Sequence, residues 1–215
     1  MEPAGERIQV AALELFAERG FHGTGIRELA VRAGLSSATL YHYMGTKEDL
    51  LVRIMRESLE RLLTAGQQIA RAGPAPERMA GLVQIHVLTH ATQRLQTQVV
   101  DGEMRALSPT RRREIVALRD EYETLWSKAI ETGQKDGDFA LQSPRLARLA
   151  LLDLCSGVAR WYQPQGPTTR EELATRYAEM ALGLLGAEPL PPATTADLLR
   201  RSLELIAGWP AALAV

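Results

Sequence analysis

The stretch from Thr24 to Lys47, TGIRELAVRAGLSSATLYHYMGTK, constrains this chain more than any other. Ile26, Leu29, Ala30 and Ala33 recur at i, i+3, i+4 and i+7, the apolar face of a two-turn helix. Thr24 is placed to cap its start, and Gly34 stands where a helix ends in a left-handed residue. Leu35 opens a turn too short to be a flexible loop. Ser36 then caps a second helix whose Leu40, with Tyr43 or Met44, points back at the first, while Ser37, Ala38, Tyr41 and His42 share the opposite face. Two short helices joined by a Gly-containing turn, the second presenting small, hydroxyl and aromatic side chains, meet the requirements of a helix-turn-helix reader of the DNA major groove.

Composition bounds the remainder. The 215 residues suffice for one ordinary domain plus a small one, and 46% hydrophobic with 24% charged residues is a globular composition. The single cysteine, Cys155, excludes an intramolecular disulfide and a thiolate zinc site within one chain. No apolar run approaches the roughly 18 residues of a membrane span, and the opening MEPAGERIQV lacks a basic region followed by an apolar core. A cytoplasmic protein without a membrane partner is expected. The net charge of −1 gives no overall nucleic-acid footprint, so DNA affinity must come from a local surface.

In chain order, Ile8, Ala11, Ala12, Leu15 and Phe16 form a helical stripe from about Pro3 to Arg19 that Gly20 stops. With the Thr24–Met44 pair it makes a three-helix unit, with Phe16, Phe21, Leu29 and Leu40 as core. Thr46 caps the next helix, whose stripe of Leu51, Met55, Leu59, Leu62 and Ile69 reaches Gly73-Pro74. After Glu77 a helix is apolar around most of its circumference, as a bundle's central helix must be. Ser108-Pro109 and Ser143-Pro144 are strong helix starts, the first running to about Thr132 and the second to about Trp161. Thr169-Arg170-Glu171-Glu172 has capping-box form and opens a helix ending near Gly186, and a last helix spans about Thr195 to Ala207. There is no convincing strand. The expected fold is all-α: an N-terminal helix-turn-helix domain at 1–46 and a larger helical ligand-binding and dimerisation domain at 47–215.

The layout resembles the TetR family of bacterial transcriptional regulators. Most specific is Ile8 to Leu51: A-x-x-L-F-x-x-x-G-F, T-x-I-R-E-L-A, A-G-L-S-x-x-T-L-Y-H-Y and K-E-D-L-L, with Met44 standing where the family generally has Phe. The resemblance implies an operator-binding homodimer. It places Thr24 and Arg27 near phosphate, and Ser36, Ser37, Ala38, Thr39, Tyr41, His42 and Tyr43 on the turn and recognition helix. Ser37, Ala38 and His42 would face bases, and Tyr41 and Lys47 would hold phosphate. Tyr43 is equally placed for core or contact. From Met1 to Arg56, seven Lys or Arg balance seven Asp or Glu, so binding must lean on two recognition helices held about 34–36 Å apart or somewhat more.

The dimer surface is expected on the Ser143–Trp161 and Thr169–Gly186 helices, as half of an intermolecular four-helix bundle. Leu146, Leu149, Ala150, Leu154 and Val158 would meet Tyr177, Ala181, Leu182 and Leu185, unless these stripes only complete the intrachain core. An effector pocket is expected among Leu82, Ile85, His86, Thr89, His90, Met104, Trp126 and Cys155. His86 and His90 have the spacing of a metal pair, but no third ligand stands beside them, and no metal or cofactor is expected. Arg111-Arg112-Arg113-Glu114, Leu118–Glu123 and Val158–Pro167 are similar to the subgroup controlling fatty-acid and steroid degradation, which implies an acyl-coenzyme A effector. Arg111, Arg112, Arg113, Arg119 and Arg160 would then be cations for its phosphates. The alternatives are an efflux-type repressor sensing flat apolar or cationic drugs, or a helical adaptor that binds protein and not DNA. No catalytic constellation is present, so an enzyme is not expected. The expected mechanism is ligand-controlled repression, in which a small hydrophobic effector releases the protein from a palindromic operator, although the sequence alone does not separate repressor from activator.

Overall fold

The computed structural model describes residues 3–209; the expected domains run past these at residues 1–2 and 210–215, which lie outside the described residues. Every regular element among the described residues is helical: α1 (Ala4–Gly23), α2 (Ile26–Arg32), α3 (Ser37–Met44), α4 (Lys47–Ile69), α5 (Ala75–Thr92), α6 (Arg94–Gly102), a 3₁₀ turn (Glu103–Ala106), α7 (Pro109–Asp136), α8 (Pro144–Ser156), α9 (Val158–Trp161), α10 (Arg170–Leu184) and α11 (Pro192–Ile206). None of them is long and apolar enough to cross a membrane.

The reading head forms as its sequence dictates at most positions and departs at one. Gly20, at φ 73°, breaks α1, and one further turn carries Phe21 into the core. Thr24 does not cap α2. Its hydroxyl is buried and lies 2.9 Å from the Gly20 carbonyl oxygen and 3.2 Å from that of Leu15, closing the break in α1, while Gly25 precedes α2 without a side-chain cap. At the other end Gly34, at φ 64°, allows the Leu35 N–H to reach the Ala30 carbonyl, the bond that ends a helix in a left-handed residue. Ser36 caps α3 by accepting from the Thr39 N–H at 3.1 Å. Thr46 and Asp49 cap α4 reciprocally. Met44 is buried and Tyr43 is exposed, which resolves which of the two faces the core.

This head's core does not stop at residue 47. Leu50, Leu51, Ile54 and Met55 of α4 join Phe16, Leu29 and Leu40, and so do Val99 and Val100 of α6, Met104, Leu107 and Ile115 of α7. The start of α7 is also clasped to the start of α4. Arg111 pairs with Asp49 at 2.7 Å, Arg56 pairs with Glu114, and the Ser108 N–H donates to Glu48 at 2.6 Å, so Ser108 opens α7 without capping it. These bonds hold the Glu48 and Asp49 carboxyls below their usual range, Glu48 through the Ser108 N–H first and Asp49 through Thr46 first.

In the larger bundle α5 is central, buried on all sides from Met79 to Ala91, with α4, α7, α8, α10 and α11 around it. Three boundaries differ from expectation. α7 runs on to Asp136, the Ser143–Trp161 helix breaks at Gly157 into α8 and α9, and the last helix begins at Pro192. α11 covers the core through Leu198 and Ser202 and lies on α5 and α4. The short helix α6, RLQTQVVDG, buries Gln96 and Thr97 beside Val99 and Val100 where it packs on α1, α4, α5 and α9.

Candidate DNA-reading face and effector cavity

Ala38, Tyr41, His42 and Tyr43 are exposed on α3, and Ser37 is half-buried at its start. This is the face expected to enter the groove. Thr39 turns toward the cap, its hydroxyl 2.8 Å from that of Ser36. Arg27 is exposed beside them at the start of α2. Most of the head's other cations are engaged: Arg19 with Glu28, and Arg32 with Glu14 at 2.8 Å and Glu18 at 3.5 Å.

Lys47 needs correcting. Its ammonium donates to the Phe21 carbonyl at 2.6 Å and the Thr24 carbonyl at 2.7 Å, and it stands 4.3 Å from the centre of the Phe21 ring. Burial lowers its pKa. A cation on the last carbonyls of a helix is a cap, so Lys47 pins α4 to the α1–α2 corner and does not point at phosphate. Among the described residues Arg27 is an exposed cation of the face with no ion pair, and Arg27→Ala should weaken binding about equally on all sequences. The slope of log affinity against log salt should fall by about 1 for each reading head in a salt titration of DNA binding.

The expected dimer residues divide. Leu146, Leu149, Ala150 and Leu154 are exposed in one stripe along α8. Val158, Tyr177, Ala181, Leu182 and Leu185 are buried in the chain's own core and cannot meet a partner. On α10 the exposed apolar residues are Met180, at 49% exposure, and Leu184, at 46%, with Trp161 of α9 at 53% nearby in the chain. A helix stripe shifted by one residue turns by about 100°, which is why Leu184 faces outward while Leu185 faces in.

The candidate effector cavity lies where α4, α5, α6, α7 and α8 meet, and holds about 80 Å³. Ser58, Leu59 and Leu62 line it from α4; His86, Thr89 and His90 from α5; Thr97, Val100 and Asp101 from α6; Arg119, Tyr122 and Glu123 from α7; Leu152 and Ser156 from α8. Of the expected lining, His86, Thr89, His90 and Arg119 are here. Leu82, Ile85, Trp126 and Cys155 are fully buried in the bundle core behind it, and Met104 belongs to the reading-head core. Burial also raises the Cys155 thiol pKa. The sequence points to the helix beginning near Leu50 as one wall without naming a lining residue on it, and it does not point to the α6 wall. The Leu59 and Leu62 stripe was visible, but which helix would close over it was not.

Inside, the two histidine rings stack with centroids 4.2 Å apart. His86 Nδ1 lies 3.2 Å from the Tyr122 hydroxyl and Nε2 3.0 Å from that of Ser156. His90 Nδ1–H donates to the His86 carbonyl at 2.9 Å, and its Nε2 lies 3.4 Å from Asp101. Arg119 pairs with Asp101 at 2.7 Å across the mouth. Burial holds His86 well below its ordinary value of 6.5, so it stays neutral in the fold. A depressed histidine pKa means that the unfolded chain binds the extra proton first. Stability should therefore be full above about pH 6.5 and fall as pH drops through it, before the carboxylates of Glu48 and Asp49 add their own loss at lower pH. Denaturant melts on either side of that value should show the loss, and His86→Gln should flatten it.

Comparison with known proteins follows this division. Residues 8–54 match the family model described as bacterial regulatory proteins, tetR family, and residues 72–185 match tetracyclin repressor-like, C-terminal domain. α11 lies beyond both. The transcriptional repressor KstR2 of Rhodococcus jostii is 30% identical over 180 residues, covering 82% of this chain and 88% of the relative. A crystal structure of a tetR-family regulatory protein from Rhodococcus RHA1 is 32% identical with a TM-score of 0.80, covering 88% of this chain and all of that one. The ketosteroid transcriptional regulator KstR2 of Mycobacterium tuberculosis is 25% identical with a TM-score of 0.80, covering 88% of this chain and 97% of that one. The chain belongs to the TetR family and is a DNA-binding, ligand-responsive transcriptional regulator.

Proposed function

We propose that this protein represses transcription as a homodimer on a palindromic operator and releases it when an apolar effector, best an acyl-coenzyme A thioester, enters the cavity beneath Arg119. The observation that carries the reading is the double use of two cavity walls. α4 and α6 line the cavity and also complete the reading-head core: on α4 one apolar stripe runs from Leu51 and Met55 in that core to Leu59, which belongs to both, and on α6 Val100 belongs to both beside Val99. At about 80 Å³ the cavity is well under the roughly 300–1,000 Å³ of a typical ligand pocket. An effector must therefore spread α4 and α6 to bind, and so moves the heads. Its leverage is its preference for the spread state over the closed one.

Leu59, Leu62, Val100 and Leu152 suit an acyl body, and exposed Arg112 suits its phosphates, joined by Arg119 where a phosphate displaces Asp101 from it at the mouth. Arg111 is committed to Asp49 and does not suit that role. The KstR2 relatives, one titled a ketosteroid regulator, support a lipid-derived effector. A drug-sensing pocket would call for a buried carboxylate, whereas Asp101 and Glu123 stay about a third exposed at the mouth. The exposed α3 face favours DNA over a protein partner.

A thermal-shift titration with thioesters of graded acyl length, steroid-derived thioesters and cationic drugs tests the effector class. At ligand near 100 times Kd, stabilisation of about 2.7 kcal/mol corresponds to a rise of about 5–10 °C. Response to drugs with silence from thioesters overturns the proposed class.

A further inference from the structure

A second cleft, between α4 and α11, has no part in repression as described above. It holds about 350 Å³ and lies on a different face of α4 from the effector cavity, with Glu57, Glu60, Arg61 and Thr64 on one side and Leu205 and Trp209 on the other. Arg61 is the anomaly within it. Its Nε and Nη2 are buried and have no hydrogen-bond partner, and it forms no ion pair among the described residues. Burial lowers its pKa, against a partial offset from Glu57. Buried donors are nearly always satisfied, and a charged one left open is costly.

Nε and Nη2 together are the side-on edge of a guanidinium. Their parallel N–H groups take both oxygens of one carboxylate. Leu205 and Trp209 give the cleft that Arg61 lines an apolar wall, and Glu57 and Glu60 line the same cleft and disfavour a second negative charge. We propose that the α4–α11 cleft is a binding site for a small monocarboxylate with an apolar body, its carboxylate on Arg61 and its body against Leu205 and Trp209. Binding there requires Arg61 to change rotamer, so that its buried edge turns out to the ligand. Dianions and inorganic phosphate are excluded by the two glutamates. A thioester has no carboxylate at its carbonyl carbon, so the two sites answer to different chemistry.

The test is calorimetric titration and thermal unfolding of the full chain with hexanoate and benzoate, using hexanamide and inorganic phosphate as controls. Saturable binding of at least one acid, and of neither control, is expected. Arg61→Met should weaken it at least about tenfold without lowering the melting temperature of the free protein, since the guanidinium has no partner to lose. Arg61→Lys, which keeps the charge but not the fork, should weaken it as well. Thr89→Leu, in the effector cavity, should leave it unchanged. Should Arg61→Met fail to fold, Trp209→Ala replaces it and must also weaken binding. Absence of saturable binding at millimolar acid, or binding that survives Arg61→Met, overturns the proposal.

Discussion

Replacing Leu149 and Leu184 together with glutamate should give a folded monomer that has lost its operator. Both side chains are exposed, at 39% and 46%, and sit on the outer faces of α8 and α10. Neither is among the fully buried residues that hold the bundle, so the chain keeps its core. Carboxylates in the middle of an apolar interface would be desolvated against their own symmetry copies, which a twofold interface cannot avoid. One α3 offers Ala38, Tyr41, His42 and little free positive charge, so a single head binds weakly. Joining two heads contributes roughly 10²–10⁴-fold through effective concentration, and that factor is what the variant forfeits. Sedimentation would show the monomer, and fluorescence anisotropy on an operator fragment would show the loss. Tight operator binding by the double variant would place the interface elsewhere.

The second large effect is loss of induction with operator binding intact. Thr89→Leu adds a branched apolar side chain to the wall of a cavity of about 80 Å³. The Thr89 hydroxyl bonds only the Ile85 carbonyl of its own helix at 2.7 Å, so its removal strands no partner side chain. Filling empty space costs nothing until it overpacks, where penalties of about 1–3 kcal/mol begin. The variant should hold operator as the parent does and fail to release it at effector concentrations that free the parent. A variant that still releases would mean the effector enters by another route.

The helix-turn-helix was legible because its determinants are local. Ile26, Leu29 and Ala30 repeat at helical spacing, Gly34 stops the helix and Ser36 restarts it, each within a few residues of what it acts on. Thr24 and Lys47 were misread for the opposite reason. Both stand at helix starts and look like a cap and a phosphate contact, yet Thr24 closes a break at Gly20 and Lys47 reaches carbonyls more than twenty residues away. The dimer stripe was half legible. Periodicity reveals that a helix has an apolar stripe but not which of two adjacent stripes faces inward, so Leu185 was chosen where Leu184 is exposed. The cavity's α6 wall was not legible at all, since Thr97, Val100 and Asp101 acquire their meaning only when α6 packs against α4 and α5.

Effector binding separates the two reading heads in the proposed mechanism, and their spacing can be measured. Val31, at 79% exposure on α2, can be replaced by cysteine and spin-labelled, because the one native thiol, Cys155, is fully buried. Electron–electron distance measurement on the labelled dimer, with and without a saturating thioester that releases operator, reads the head spacing directly. A distribution compatible with groove spacing of about 34–36 Å or somewhat more is expected when the cavity is empty, and one displaced by several ångströms when it is filled. Operator release with an unchanged distribution would contradict that mechanism.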